Sequence, residues 1–348
     1  MTAKARAELF LTALKGRAEV NNLIGRYEAA QKDMKMGLSR LDKAGEKRLH
    51  VEFLLLQGNI FNSVSRFDEM LECMQKALSI SKRIKYHKGE AQALSKMGTT
   101  YYYRNQLSKA LDLYRRSGDV YKKIKDQLGQ ALSFGNEGII HLARDDYGKA
   151  LEVMSRSLKI RIKIGDIRQQ ANCLHNLGLV YRQLEKYRES LENFSKALSI
   201  YEDIGSVRDM AQCLANIGAN HLITGNPAKA ISYLQKGYEL RCQIGDRRSQ
   251  AHSLNSIGLT FGKMGKYTHA IEHIRKADDI YREIQDTRYQ VYNMMDLCDV
   301  YIESHDYASA RKCVSNMEVI AREMRVKDIS DKIAAIRTLL KSKSTVNG

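Results

Sequence analysis

The stretch Ala171 to Tyr181, ANCLHNLGLVY, reads as one helix with a glycine in its middle. Leu174, Leu177 and Tyr181 share a face at helical spacing, so the chain is expected to stay α-helical through Gly178. A mid-helix glycine costs roughly 0.5–1 kcal/mol relative to alanine. Packing has to offset that cost, and a single occurrence would not show that it does.

Repetition shows it. At steps of 40 residues from Gly178 stand Gly58, Gly98, Gly138, Gly218 and Gly258, with Ala18 and Cys298 at the two ends. Three residues after each comes a large, mostly aromatic side chain: Phe61, Tyr101, His141, Tyr181, His221, Phe261 and Tyr301. A second ring recurs at Tyr27, Phe67, Tyr147, Tyr187, Tyr267 and Tyr307, followed by a small residue at Ala30, Ala110, Ala150, Ser190, Ala230, Ala270 and Ala310. Leu191, Phe194, Leu198 and Tyr201 form a second helical stripe after a break at Glu185-Lys186. Each unit is therefore a hairpin of helix A and helix B. Its closing turns read Ile164-Gly165-Asp166, Ile204-Gly205 and Ile244-Gly245-Asp246, where glycine suits a helix C-cap and aspartate is expected to cap the next helix.

The spacing places eight hairpins at 7–46, 47–86, 87–126, 127–166, 167–206, 207–246, 247–286 and 287–327. Residues 328–342 read as a capping helix with Ile329, Ile333, Ile336 and Leu340 inward, and 343–348 as a flexible tail. The recurrent glycine then has a packing role: it lets helix A lie close against helix B of its own hairpin. Burial of one large side chain, worth about 1.5–3 kcal/mol, outweighs the propensity loss.

Composition agrees with a repeat protein. The 348 residues include one proline and no tryptophan, and no Pro- or Ser-rich linker separates domains. With 43% hydrophobic residues the chain is too apolar to be disordered. In the N-terminal MTAKARAELFLTALKG, Glu8 precedes the apolar stretch from Leu9 to Leu14, Thr12 interrupts it and no cleavage site closes it, so it reads as the start of a helix rather than a leader. No apolar run nears the ~18 residues of a membrane span, and a cytoplasmic location is expected. Cys73, Cys173, Cys213, Cys242, Cys298 and Cys313 form no CxxC pair and are expected to be reduced and buried.

The net charge of +17 is concentrated. Between Lys76 and Gly165 stand 19 Lys and Arg against 8 Asp and Glu, in runs such as SKRIKYHK and RRSGDVYKKIK. Such a run is either a footprint for an acidic partner or a set of solvated helix ends. The lack of interleaved aromatics disfavours single-stranded nucleic acid.

The pattern Leu-Gly-x2-Tyr, then Tyr-x2-Ala-Leu-x2-Phe/Tyr-x2-Ala-Leu, resembles the tetratricopeptide repeat family over essentially the whole chain. The departures are a period of 40 rather than 34 residues, no early tryptophan, and a Gly-Asp turn where a proline is common. The 40-residue type is similar to repeats of kinesin light chains, of G-protein-signalling modulators, and most of all of bacterial maltose-regulator-like transcription factors and signalling proteins. The resemblance implies an all-α, right-handed superhelical solenoid of eight hairpins plus the capping helix, with a concave groove lined by A helices.

The resemblance also places candidate groove residues beside the Leu-Gly pair. They are Lys96 and Tyr103; Asn136; His175, Asn176 and Arg182; Asn216; and His252, Asn255, Ser256 and Lys263. Asn136, Asn176 and Asn216 share one register, ending in Ser256, and such amides could grip a peptide backbone or tie adjacent repeats together. Arg182 and Lys263 favour an acidic or carboxylate-bearing partner. The two-carboxylate clamp of chaperone-binding relatives is not expected, because Lys15 faces Glu19 and Leu56 and Gln92 occupy the later positions.

HAIEH, from His269 to His273, matches an inverted zinc-protease pattern, yet Ala270 and Ile271 are the repeat's own packing residues. No phosphate loop or nucleophile motif accompanies it, so no catalytic residue, metal or cofactor is assigned. The leading expectation is a non-enzymatic scaffold for a protein or peptide. A regulatory or sensor region acting on a kinase, cyclase or DNA-binding output comes second, and nucleic-acid binding through the basic repeats is weakest.

Overall fold

The computed structural model describes residues 3–44, 47–324 and 327–344, and every element among them is an α-helix. The chain divides into two compact units, residues 1–184 and 185–348. The first holds α1 (Ala3–Leu23), α2 (Tyr27–Ala44), α3 (Lys47–Ser63), α4 (Phe67–Arg83), α5 (His87–Tyr103), α6 (Leu107–Lys123), α7 (Gln127–Ala143), α8 (Tyr147–Ile164) and α9 (Ile167–Gln183). The second holds α10 (Tyr187–Asp203), α11 (Val207–Ile223), α12 (Pro227–Gln243), α13 (Arg247–Lys263), α14 (Tyr267–Glu283), α15 (Thr287–Glu303), α16 (Tyr307–Met324) and α17 (Lys327–Ser344).

The 40-residue period has a simple construction. Two 17-residue helices alternate with two three-residue turns, as in α5, 104–106, α6 and 124–126. The turns within and between hairpins are the same object. Each places one residue in the left-handed region, among them Asn105, Lys125, Asp145, Gly165 and Gly225, at φ between +57° and +76°. The following residue donates its N–H to the carbonyl five positions back, for example Asp126 to Tyr121 at 2.9 Å and Asp166 to Arg161 at 3.0 Å. That bond satisfies a carbonyl the helix end would otherwise leave open.

The expected aspartate caps are realised only in part. Asp246 accepts from the Ser249 backbone at 3.2 Å, but Asp166 makes no cap bond and instead receives Arg161 Nη1 at 2.8 Å. A buried guanidinium next to the turn competes for the carboxylate and wins it, because a charge-assisted bond is the stronger of the two.

The glycine seats match the packing expectation in the five hairpins where the contact is described. A Cβ on Gly58 would meet Met74 Cε at 2.3 Å, on Gly98 Tyr114 Cε1 at 2.8 Å, and on Gly138 Met154 Cγ at 2.4 Å. On Gly218 it would meet Leu234 Cγ at 2.9 Å and on Gly258 Ile274 Cγ1 at 2.6 Å. The intruding side chain always lies 16 residues later, on helix B of the same hairpin. At that register the second unit also carries Phe194, fully buried. The small residues Ala110, Ala150, Ser190, Ala230, Ala270 and Ala310 are buried as well.

A further core register was not anticipated. Tyr121, Arg161, Tyr201, Arg241 and Tyr281 alternate along helix B, and all are buried. Arg161 bonds Ser157 and Asp166, while Arg241 bonds the Ser249 carbonyl and Ser253. The alternation was readable at 40-residue steps, but arginine at a core register reads as surface until its partners are seen.

In the last hairpin α17 lays Ile329, Ile333 and Leu340 into a core with Val314, Met317 and Ala321, and Ile336 packs against it. The helix extends to Ser344, and residues 345–348 of the expected tail lie outside the described residues. The cysteines are unbridged; five are buried, but Cys242 is exposed, contrary to expectation, because its helix face points away from the hairpin core.

Candidate peptide-binding face

Successive A helices pack on one another in the first unit: α1 on α3, α3 on α5, α5 on α7 and α7 on α9. No two B helices come as close among the described residues. The A helices therefore form the inner side of that unit, and α13 packs on α15 in the same way in the second.

The polar residues of this side are mostly used to tie neighbouring A helices. Lys15 Nζ binds Glu52 at 2.7 Å. Lys96 Nζ donates to Asn59 Oδ1, and its burial pulls the ammonium pKa down. Asn136 Nδ2 reaches Ser95 Oγ at 3.4 Å. Asn255 Nδ2 donates to Asp296 Oδ2 at 2.7 Å.

The ladder therefore breaks according to what stands 41 residues earlier. Asn136 meets Ser95, and Asp296 meets Asn255. Asn176 has only Gly135 at that position, which offers no side chain, and it makes no side-chain hydrogen bond among the described residues. Ser256 has Ala215 at that position and donates to the His252 carbonyl at 2.9 Å. Asn216 is buried.

His175 and Arg182 flank Asn176 on α9, both half-buried. Burial lowers the Arg182 pKa, the mark of a cation held partly out of water. Tyr103 ends α5, is 56% exposed and stacks on Phe67 at 5.2 Å.

Two candidates have partners within the fold. His252 Nδ1 lies 3.0 Å from Tyr281 Oη, and the ring packs edge-on to Tyr281 and Tyr289. Burial pulls its pKa down. The positive charge of Lys263 acts on Asp299, with Asp296 near by.

Burial raises the pKa of both Asp296 and Asp299, the latter further through Asp296 and Glu303. A carboxyl with a raised folded pKa binds its proton more tightly when folded. Its charge therefore costs stability above that pKa, and the cost vanishes as the pH falls through it. Asp299→Asn should raise the urea midpoint at pH 7 and leave it unchanged in acid below the carboxylate range. A lowered midpoint at pH 7 would contradict the assignment.

The HAIEH residues are occupied otherwise. His269 and His273 flank the Phe261 ring at 5.2 and 5.3 Å, and Glu272 pairs with Lys276 at 2.7 Å.

This repeated hairpin geometry defines the class. The tetratricopeptide repeat model matches residues 51–123, 127–203 and 209–283, well over half of the chain, and the protein belongs to that family. No curated protein sequence matches it. Among solved structures it is similar to a signal transduction ATPase with numerous domains that carries a tetratricopeptide repeat sensor, from Pyrococcus horikoshii. The TM-score is 0.68 at 18% identity, covering 94% of this chain and 50% of that one. A Rap protein complexed with competence and sporulation factor matches at TM-score 0.61 and 13% identity, covering 97% of this chain and 99% of that one. A Podosopora anserina putative kinesin light chain matches at TM-score 0.51 and 13% identity over 57% of this chain and 98% of its own. At such identities the likeness is one of fold. Among the described residues no helix is long and apolar enough to cross a membrane.

Proposed function

We propose that the protein is a non-enzymatic cytoplasmic scaffold whose A-helix face holds an extended peptide or protein segment. The observation that carries this reading is Asn176, a half-buried amide on the inner side of the first unit whose register partner is a glycine. Its two donors and one acceptor match the backbone of an extended chain. Arg182, partly desolvated on the same helix, suits a carboxylate in that segment. The Rap protein of like fold is complexed with a factor, which supports the same kind of partner here.

Capture of partners from an extract by the full chain, compared with a Tyr103→Ala/Asn176→Ala variant, tests this. Neither residue carries an inter-helix tie of the kind seen at Asn136. Loss of a central ring and an amide should weaken a genuine partner by about 10-fold or more. Retention of every partner by a folded variant would sink the proposal.

A second reading, a sensor region governing an ATPase, kinase, cyclase or DNA-binding output, draws support from the Pyrococcus horikoshii protein, of whose length this chain spans half. It predicts that the chain changes the activity of such an output when added to it.

A further inference from the structure

Away from the A-helix face, where the C-terminal ends of α6 and α8 meet the start of α7, lies a pocket of about 410 Å³. Lys122, Lys125, Lys159 and Lys163 line it together with Gln127 and Gln130, and no carboxylate does. None of the four lysines makes an ion pair among the described residues, although Arg161, between Lys159 and Lys163, pairs with Asp166.

The repeats supply their own control. Lys159 stands at the register of Ser79, Asp119, Ser199, Glu239 and Asp279 in other hairpins, none of them basic, and Lys163 at that of Arg83, Lys123, Asp203 and Glu283. A lysine in the last turn of a helix is favourable for the helix dipole, worth about one interaction per helix end. That does not explain the clustering of four like charges. Lys82 and Lys85 repeat the first pair one hairpin earlier, but there the register of Lys159 holds Asp119; all four registers carry lysine only around this pocket.

Aliphatic surface adjoins the charge. Leu128, next to Gln127, is 55% exposed, and Ile162, between Lys159 and Lys163, is 59% exposed. A phosphate-bearing strand would leave these side chains wet. A protein segment that interleaves carboxylates with apolar side chains would cover them.

We propose that this edge of the first unit is a second docking surface, specific for an acidic protein segment carrying aliphatic or aromatic residues between its carboxylates. It is separate from the A-helix face and acts whether or not that face is occupied.

The test pans a displayed library of random 12-residue peptides on the full chain. Enriched peptides are then titrated against wild type, Asn176→Ala, and a variant with Lys122→Gln, Lys125→Gln, Lys159→Gln and Lys163→Gln. Acidic peptides with interleaved Leu, Ile or Phe are expected, with affinity falling as salt rises. Binding should be about 10-fold or more weaker on the quadruple variant and unchanged on Asn176→Ala. Lys159→Asp, which installs the residue type of Asp119 and Asp279, gives an independent single-site loss should the quadruple variant not fold. Enriched peptides without carboxylates, or with equal affinity for the folded variants, would overturn the proposal. So would a labelled dT20 strand that binds through the same lysines while no peptide does, since the surface would then belong to nucleic acid.

Discussion

Gly258→Leu should cost the second unit about 3 kcal/mol, while Gly148→Ala should stabilise the first by roughly 0.4–1 kcal/mol. The residue type is the same and the sign is opposite, because only the surroundings differ. A Cβ on Gly258 meets Ile274 Cγ1 at 2.6 Å and the Ala270 carbonyl oxygen at 2.9 Å. The isoleucine can turn, but the carbonyl belongs to the backbone of α14 and cannot move without separating α13 from α14. Leucine adds three more carbons to that gap. Gly148 lies in the first turn of α8 with nothing within 4 Å of a Cβ, so alanine there only reduces the freedom of the unfolded chain. Urea unfolding followed by circular dichroism reads both changes. In a repeat array the damage spreads through nearest neighbours, so the Gly258→Leu transition should begin earlier and broaden. Equal midpoints for the two variants would contradict the packing account of the recurrent glycine.

Arg161→Ala is expected to cost about 3 kcal/mol, and Arg156→Ala, five residues earlier on the same helix, under about 1 kcal/mol. Arg161 is 3% exposed. It gives Nη1 to Asp166 at 2.8 Å and Nε to Ser157 at 3.2 Å. Truncation leaves a cavity and removes the partner of Asp166 at the turn that joins α8 to α9, while Ser157 keeps its bond to the Ala131 carbonyl. Arg156 is 58% exposed: its nitrogen is 3.9 Å from Glu152, a distance at which an exposed pair contributes little, and its guanidinium lies over the Phe134 ring at 4.3 Å, a contact worth about 0.5–1 kcal/mol at an exposed site. Arg161→Lys keeps the charge but cannot bond both partners in one plane, so its midpoint should fall between those of wild type and Arg161→Ala. Chemical denaturation at pH 7 measures all three. An Arg161→Ala variant as stable as Arg156→Ala would show that the buried guanidinium contributes nothing net.

The candidate face was legible as a place and not as a set of contacts. The register of Asn136, Asn176 and Asn216 was visible in the sequence, as was the choice between ligand grip and inter-repeat tie. Asn136 is a tie, since Ser95 is within reach. Asn176 is not, since the matching position is Gly135. The partner of His252 was not legible, because helical periodicity gives the angle of a side chain about its axis to within about one residue. It does not give the rotamer that brings the ring to Tyr281.

The sequence by itself determined the hairpin, its 40-residue period, the glycine seats and the inward face of the last helix. Each of these follows from local propensity and from contacts within one hairpin, at a fixed separation such as the 16 residues between Gly58 and Met74, and repetition amplifies the signal. Only the tertiary structure decided which polar groups are spent: Lys96 on Asn59, Asn255 on Asp296, Asp166 on Arg161 rather than on its helix. A hydrogen bond is made or lost within about 1 Å. Its partner is set by how the next hairpin docks and by which rotamer packing allows, and neither is written in the spacing of residue types along the chain.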